Sequence, residues 1–143
     1  VSEDEADDYV AEEDVDFFDD EDDDDGAGGS KALTKKLEEL KQKGVTPKYI
    51  YTIPTVQNPT GTIMPAERRA ELLKLSEAYG VPIFEDDCYS DLIWSGERPP
   101  ALYAMSTTGG VIHIGSFSKS IAPALRVGFI VAPWIGNMSP WLV

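Results

Sequence analysis

A lysine, two serines and an arginine lie close together in the last third of the chain: Ser116, Ser118, Lys119 and Arg126. A lysine in a partly dry pocket has a lowered pKa and can attack a carbonyl to form a Schiff base. Serine hydroxyls and a guanidinium are donors suited to a phosphate. A lysine for an aldehyde beside donors for a phosphate is the combination that pyridoxal phosphate requires. The segment is therefore either a site for this cofactor or an ordinary loop with an exposed lysine and arginine.

Short apolar runs on either side must position this segment. Residues 111–115 and 128–132 are rich in β-branched side chains and bounded by glycine or proline, so both runs predict buried strands. Upstream, residues 48–54 and 81–84 also predict strands, and residues 65–79 between them predict a helix. A strand–helix–strand unit implies parallel strands joined by a right-handed crossover. The pattern therefore indicates an α/β fold.

Polar residues follow the two upstream strands. The turn Asn58-Pro59-Thr60-Gly61 comes after the first, and Asp86 and Tyr89, three residues apart, come after the second. Ligands of open parallel sheets bind beyond the carboxyl ends of the strands. The alternatives are that Asn58 only forms a turn and that residues 85–87 are a solvated acidic turn. In the first turn we predict a cis Asn58-Pro59 peptide bond, because X-Pro bonds have only a small trans preference.

Three segments, taken in this order, resemble the class I and II aminotransferases, which are fold-type-I pyridoxal-phosphate enzymes. The segments are Asn58-Pro59-Thr60-Gly61, Asp86-x-x-Tyr89, and the run from Ser116 to Gly128 that contains Lys119. The resemblance implies that this chain is a fragment of the large, mostly parallel-sheet domain of such an enzyme, within residues 31–143. It also implies transamination between an amino acid and a 2-oxo acid in a parent homodimer, with the fragment alone inactive.

The resemblance assigns roles to seven residues. Lys119 is implied to hold the cofactor aldehyde and to move a proton as general base and acid. Asp86 is implied to face the pyridine nitrogen, and Tyr89 the 3′ oxygen. The remaining cofactor contacts that it implies are Asn58 at the 3′ oxygen and Ser116, Ser118 and Arg126 at the phosphate. Gln57 before the Asn58 turn and the acidic residues 85–87 ahead of Tyr89 form a pattern most similar to that of relatives that act on aromatic amino acids, kynurenine or 2-aminoadipate.

Charge is distributed unevenly along the chain of 143 residues, whose formal net charge is −14. Sixteen of the 26 acidic residues lie within residues 1–25, and all 12 basic residues follow Gly29. We therefore expect residues 1–30 to be a disordered acidic segment, because repulsion and few apolar groups oppose folding. Residues 31–43 predict an amphipathic helix with Ser30 as its N-cap.

Several classes of partner are not expected. No cluster of basic and aromatic residues indicates nucleic acid, and no apolar run is long enough to span a membrane. The single cysteine, Cys88, excludes an internal disulfide and encodes no metal cluster, which fits a cytoplasmic protein. Trp94 and the lone histidine, His113, are expected to be packing residues without a chemical role.

Two rival functions stay open at this point. A lyase or synthase of the same fold would carry the same cofactor residues, because substrate contacts decide the reaction type. An inactive fragment whose acidic segment binds basic proteins is the second rival.

Overall fold

The structure is a computed structural model that describes residues 28–133 of the chain, with side chains from Ser30 onward. Most of the predicted disordered segment, residues 1–27, lies outside the described residues, as do residues 134–143. Among the described residues no helix is long and apolar enough to cross a membrane.

A four-stranded sheet forms the centre of the described region. Its strands are β1 (Ile50–Thr52), β2 (Ile83–Asp86), β3 (Val111–Ser116) and β4 (Gly128–Val131), adjacent in that order. Strands β1, β2 and β3 are parallel, and β4 pairs antiparallel with β3. The predicted α/β architecture with a mostly parallel sheet is confirmed.

Helices precede or connect these strands. The helices are α1 (Gly28–Gln42), α2 (Ala66–Tyr79) and α3 (Leu102–Met105), with short 3-10 helices at Ser90–Leu92 and Pro123–Leu125. Helix α2 connects the parallel strands β1 and β2, as the strand–helix–strand pattern predicts. It ends at Gly80, whose φ of 65° is the left-handed conformation that glycine adopts most readily.

Helix α1 begins at Gly28, earlier than the sequence predicts. Gly28 and Ser30 were expected to belong to the disordered segment, with Ser30 as the N-cap, but both lie in the first turn. The Ser30 hydroxyl donates a hydrogen bond to the Glu71 carboxylate on α2, and its carbonyl accepts one from Thr34 Oγ1. Ser30 thus joins two helices and does not cap its own.

The core lies between the helices and one face of the sheet. It contains Leu33, Leu37, Met64, Leu72, Ile83, Leu102 and Val111. Burying each such side chain contributes roughly 1.5–3 kcal/mol. The register pairs Ile50 with Ile83 and Ile83 with Val111, so the core fixes the amino ends of the parallel strands. The predicted site lies at the opposite, carboxyl ends of these strands.

Strand β4 is exposed along its whole length, so the prediction that residues 128–132 form a buried strand is wrong. The reason is its place at the outer edge of the sheet, where no element among residues 28–133 covers it. Ile130 is 69% exposed and Phe129 42%. The Phe129 ring folds over Gly115 of β3, where an added Cβ would lie 2.2 Å from its Cζ atom.

Candidate active site

Two acidic residues, Glu85 and Asp86, end β2 and a third, Asp87, follows it, and successive side chains lie on opposite faces of the sheet. Glu85 is fully buried on the helix-covered face. Its carboxylate accepts hydrogen bonds from the backbone N–H groups of Leu102 (2.7 Å) and Tyr103 (3.0 Å), and lies 2.9 Å from His113 Nδ1. Glu85 therefore fixes α3 and β3 to β2 and is not available to a ligand.

Asp87 is also engaged within the protein. Its Oδ2 atom accepts hydrogen bonds from Ser90 Oγ (3.0 Å) and Arg98 Nη2, and lies 3.9 Å from His113 Nε2. Burial raises the pKa of Asp87, and the Ser90 hydrogen bond and the Arg98 charge act in the opposite direction. His113 thus lies between two carboxylates in a structural network.

Asp86 points to the opposite face of the sheet and meets a different set of groups. Its Oδ2 accepts a hydrogen bond of 2.6 Å from the Tyr51 hydroxyl on β1, and its Oδ1 accepts one of 3.2 Å from the Cys88 backbone N–H. The Lys119 Nζ atom lies 5.7 Å from the centroid of the Tyr89 ring, in cation–π contact. The structure therefore places Tyr89 and Lys119 next to each other, with Asp86 on the adjoining strand end.

The local environment keeps two of these groups protonated. Burial, followed by the hydrogen bond and charge of Asp86, raises the pKa of the Cys88 thiol to about 11, and the Lys119 charge opposes this rise. Burial, followed by the Asp86 hydrogen bond and charge, raises the pKa of the Tyr51 phenol above its ordinary value of 10.0. At neutral pH the Tyr51 hydroxyl therefore acts as a donor to Asp86.

The segment after β3 is folded into a tight turn. Ser116 Oγ accepts a hydrogen bond of 3.2 Å from the Ser118 backbone N–H, and the Phe117 N–H donates to the Val127 carbonyl at 3.1 Å. Arg126 has a left-handed φ of 50° and makes no side-chain hydrogen bond within residues 28–133. A hydrogen bond thus joins the Ser116 side chain to the Ser118 backbone. The Arg126 guanidinium is exposed among the described residues and is accessible to an anion.

Lys119 is exposed, which differs from the partly dry pocket that the sequence predicts. The physical reason is that, within residues 28–133, only the ends of β2 and β3 and the turn after β3 surround it. A groove of about 210 Å³ lies elsewhere, between Lys41 and Tyr79 near the amino end of β2. Among the described residues no group of three or more His, Cys, Asp or Glu side chains could hold a metal ion.

Asn58 lies on a rigid turn beyond β1. The Asn58-Pro59 peptide bond is cis, as predicted. Gln57 Oε1 accepts hydrogen bonds from the Thr60 N–H (2.9 Å) and the Thr60 hydroxyl (2.6 Å), and Val56 has an unfavourable positive φ of 56°. The Asn58 side chain is exposed and makes no hydrogen bond within the described part of the chain, so no contact joins it to Asp86 or Lys119.

Arg69 is a positioning residue that the sequence analysis missed. It is fully buried on α2 and donates to the carbonyls of Pro54 (2.8 Å), Met64 (2.9 Å) and Pro100 (3.1 Å) and to Thr55 Oγ1 (2.9 Å). Burial lowers its pKa, which the charges of Glu85 and Asp87 oppose. A signal was present, since Arg69 is three positions before Leu72 and shares its buried helix face.

Comparison with known proteins identifies the family. Residues 14–134 match the sequence model of the protein family "Aminotransferase class I and II", and the chain belongs to this family. An uncharacterised aminotransferase of Saccharolobus solfataricus is 43% identical over 100 residues, which are 70% of this chain and 25% of that protein. The uncharacterised HTH-type transcriptional regulator YisV of Bacillus subtilis is 47% identical over 85 residues, 59% of this chain and 17% of that protein.

A solved structure agrees with these relatives. The crystal structure of Pyrococcus horikoshii kynurenine aminotransferase, in complex with PMP, KYN as substrates and KYA as products, is 42% identical. It superposes with a TM-score of 0.69 over 71% of this chain and 25% of that one. The chain thus spans about a quarter of the length of the aminotransferases it matches.

The cofactor of this family is pyridoxal phosphate, and the residues present fit it. The site offers the Lys119 amine beside Tyr89. It offers the Asp86 carboxylate, each oxygen of which accepts one hydrogen bond within the described residues. For a phosphate it offers the Ser116 hydroxyl and the exposed Arg126 guanidinium. This set contains an amine that can react with the aldehyde, a carboxylate that can pair with a protonated ring nitrogen, and hydrogen-bond donors for the phosphate.

Proposed function

We propose that the full-length protein containing these residues is a pyridoxal-phosphate-dependent aminotransferase, which transfers an amino group from an amino acid to a 2-oxo acid. The observation that supports it is the cation–π contact between Lys119 and Tyr89, which lies next to Asp86 at the carboxyl ends of parallel strands. The chain that carries this arrangement belongs to the aminotransferase family. When bound, pyridoxal phosphate supplies an electron sink for the α-carbon of an amino acid.

Each residue of the site contributes through its own chemistry. Lys119 would hold the cofactor and, as general base and acid, move the proton that leaves the substrate α-carbon. Asp86 would keep a proton on the ring nitrogen, because its carboxylate is a negatively charged acceptor on the face away from the core. The Tyr89 phenol and the Asn58 amide are donors suited to the 3′ oxygen.

The phosphate would be held by the turn after β3. Ser116 and Ser118 provide hydroxyl donors, and the Arg126 guanidinium provides a planar fork that carries charge at any physiological pH. These residues are near the end of β3 and in the turn closed by the Phe117 to Val127 hydrogen bond. Lys119 follows Ser118 directly in the chain, so the residue that would hold the aldehyde lies in the same segment as the residues that would hold the phosphate.

The substrates we propose are amino acids with large side chains, of the aromatic, kynurenine or 2-aminoadipate type. The support is the 42% identity to the Pyrococcus horikoshii kynurenine aminotransferase together with the local pattern around the Asn58 turn and Asp86. The proposal includes a homodimer for the full-length protein, which the resemblance to the family implies.

The test of the function is chemical trapping in the full-length protein. Borohydride reduction in the presence of pyridoxal phosphate, followed by peptide mapping, is expected to place the adduct on Lys119. Lys119→Ala is expected to abolish this adduct and to lower turnover about 100-fold or more, since general acid–base catalysis contributes that much. Lys74→Ala, on the exposed side of α2, is the matched control and should leave both unchanged. An adduct on another lysine would contradict the assignment.

A second candidate function follows from the relative in Bacillus subtilis. Because the chain is 47% identical to part of an HTH-type transcriptional regulator, the second candidate is that it is part of such a regulator, with the same cofactor residues. Keto-acid formation from a panel of amino acids tests the enzyme, and cofactor-dependent binding of the full-length protein to its own promoter DNA tests the regulator. Cofactor binding and DNA binding without turnover would favour the second candidate.

A further inference from the structure

Tyr51 makes a contact with Asp86 that none of the assigned roles uses. Its hydroxyl donates to Asp86 Oδ2 at 2.6 Å. This is the length expected of a hydrogen bond from a hydroxyl to a charged carboxylate. We propose that Tyr51 is a positioning residue that sets the orientation of the Asp86 carboxylate toward the cofactor ring, an inference that rests on the proposed function.

The sheet register explains why this contact forms. Tyr51 on β1 is paired with Phe84 on β2, and Asp86 is two residues further along β2. All three side chains therefore lie on the same face of the sheet, and Tyr51 and Asp86 are diagonal neighbours. Such neighbours are within reach of a long aromatic side chain, so the contact follows from the fold and does not depend on a loop.

The two donors to Asp86 act on different oxygens. The Cys88 N–H approaches Oδ1 from the backbone of the following turn, and the Tyr51 hydroxyl approaches Oδ2 from the neighbouring strand. One donor alone leaves the carboxylate free to rotate about its Cβ–Cγ bond, whereas two donors on different oxygens fix its plane. Tyr51 thus supplies the second anchor that orients the carboxylate.

The environment of Tyr51 favours this role over a packing role. Among residues 28–133 the side chain is 53% exposed and is not part of the core. Asp86, Cys88 and Tyr89 are the titratable groups around the phenol, and with burial they keep it protonated well above neutral pH. The hydroxyl is therefore a permanent donor in the range where the enzyme works.

Tyr49, which directly precedes β1 and is two residues before Tyr51, provides a matched control. It is 43% exposed, its ring lies 5.0 Å from that of Phe84, and its hydroxyl makes no hydrogen bond within residues 28–133. Tyr49→Phe and Tyr51→Phe each remove one hydroxyl from a similar setting. Only the second removes a donor to Asp86, so the difference between the two variants reports the contact.

The first experiment compares these two variants in the full-length protein loaded with pyridoxal phosphate. Tyr51→Phe is expected to lower kcat about tenfold, the equivalent of one hydrogen bond to a charged group, with the amino-acid KM changed less than about twofold. The visible absorbance of the bound cofactor is expected to titrate at a different pH in this variant. Tyr49→Phe should match the unsubstituted protein in both respects. Identical kinetics and identical absorbance titrations in the two variants would overturn the proposal.

The second experiment measures the contact without cofactor or turnover. In the cofactor-free full-length protein the pKa of the Tyr51 phenol, followed by NMR with labelled tyrosine, is expected above 10.0. Asp86→Asn should lower this pKa toward 10.0 and leave the Tyr49 resonance unchanged. An unchanged Tyr51 pKa in this variant would overturn the contact itself.

Failure of the proposed function would be recognised separately. If the unsubstituted full-length protein neither binds pyridoxal phosphate nor forms a keto acid, the function is wrong, and so is the catalytic role of Tyr51. In that case the phenol titration still shows whether the Tyr51 to Asp86 contact exists. Normal cofactor binding and turnover with no effect of Tyr51→Phe would overturn only the role of Tyr51.

Discussion

The neighbouring carboxylates of Glu85 and Asp86 have different hydrogen-bond partners, because they lie on opposite faces of β2. Glu85 is buried and binds backbone N–H groups and His113, while Asp86 on the other face of the same strand is left to Tyr51 and the cofactor side. Buried carboxylates are stable only when each oxygen has a donor. The pairing of Glu85 therefore stabilises the strand end and leaves Asp86 available for the role that we propose for it.

Arg69 carries the first prediction at the residue scale. Arg69→Met would leave the Met64 and Pro100 carbonyls without their donor and would remove one of the two donors to the Pro54 carbonyl, which keeps the Met64 N–H. Because unsatisfied buried groups cost free energy, we expect the free energy of unfolding to fall by about 3–5 kcal/mol. Chemical denaturation of the full-length protein measures this change.

The control for Arg69 lies on the same helix. Lys74→Met changes an exposed residue of α2 and should alter the free energy of unfolding by less than about 0.5 kcal/mol. Equal effects of the two substitutions would show that the buried hydrogen bonds of Arg69 contribute nothing.

The sequence could predict some of these residues and not others. Asp86 is distinguished from Asp87 in the sequence only by the three-residue spacing to Tyr89 in a family pattern, whereas in the structure Arg98 and Ser90 engage Asp87. The burial of Arg69 could be predicted from its helix face, but the partners of Arg69 and Tyr51 could not, because they lie on other segments of the chain. The exposure of Trp94, 93%, also differs from the packing role expected of it, since local sequence does not show which loop is covered.

At the scale of elements, strand order decides how much of each strand is buried. The apolar run 128–132 has the composition of a core strand, but it pairs antiparallel at the edge of the sheet. Composition predicts that a strand forms, and the neighbours of that strand in the sheet decide its burial. The parallel pairing of β1 and β2 was predictable, because the helix between them requires a crossover.

The packing of β3 on β4 carries the prediction at this scale. An alanine Cβ at Gly115 would lie 2.2–2.8 Å from three atoms of the Phe129 ring, so the ring must move. Phe129 would then lose its contacts with the rings of Phe117 and His113, 5.5 Å and 6.0 Å away. We expect Gly115→Ala to lower the free energy of unfolding of the full-length protein by about 1–3 kcal/mol.

Two further variants identify the cause of that loss. Gly110→Ala introduces a Cβ at ordinary contact distances of 3.7 Å and 3.9 Å and should change stability by less than about 0.5 kcal/mol. Adding Phe129→Ala to Gly115→Ala removes the clash, so the two substitutions together should cost less than the sum of their separate effects. Additive costs would show that Gly115 is required for another reason.

At the scale of the whole molecule, the described region carries a site that is open to solvent. Lys119, Arg126 and Asn58 are exposed, and the chain corresponds to about a quarter of the length of the aminotransferases it matches. Pyridoxal phosphate binds tightly when several donors surround its phosphate and ring. We therefore expect the described residues alone to bind the cofactor weakly, and the proposed activity to require the full-length protein.

The exposed outer strand predicts how this 143-residue chain behaves when produced by itself. Strand β4 presents Phe129, Ile130 and Val131 and a row of backbone groups that no element among residues 28–133 pairs. Unpaired apolar edge strands associate with one another, and an edge charge prevents this. We expect the isolated chain to form concentration-dependent oligomers in sedimentation or size-exclusion experiments, and Ile130→Lys to shift it toward monomer. Val45→Lys, at a residue 48% exposed in the loop after α1, adds the same charge away from the strand and should leave the oligomers unchanged. A monomeric chain at every concentration, or equal effects of the two lysines, would show that β4 is not the associating surface.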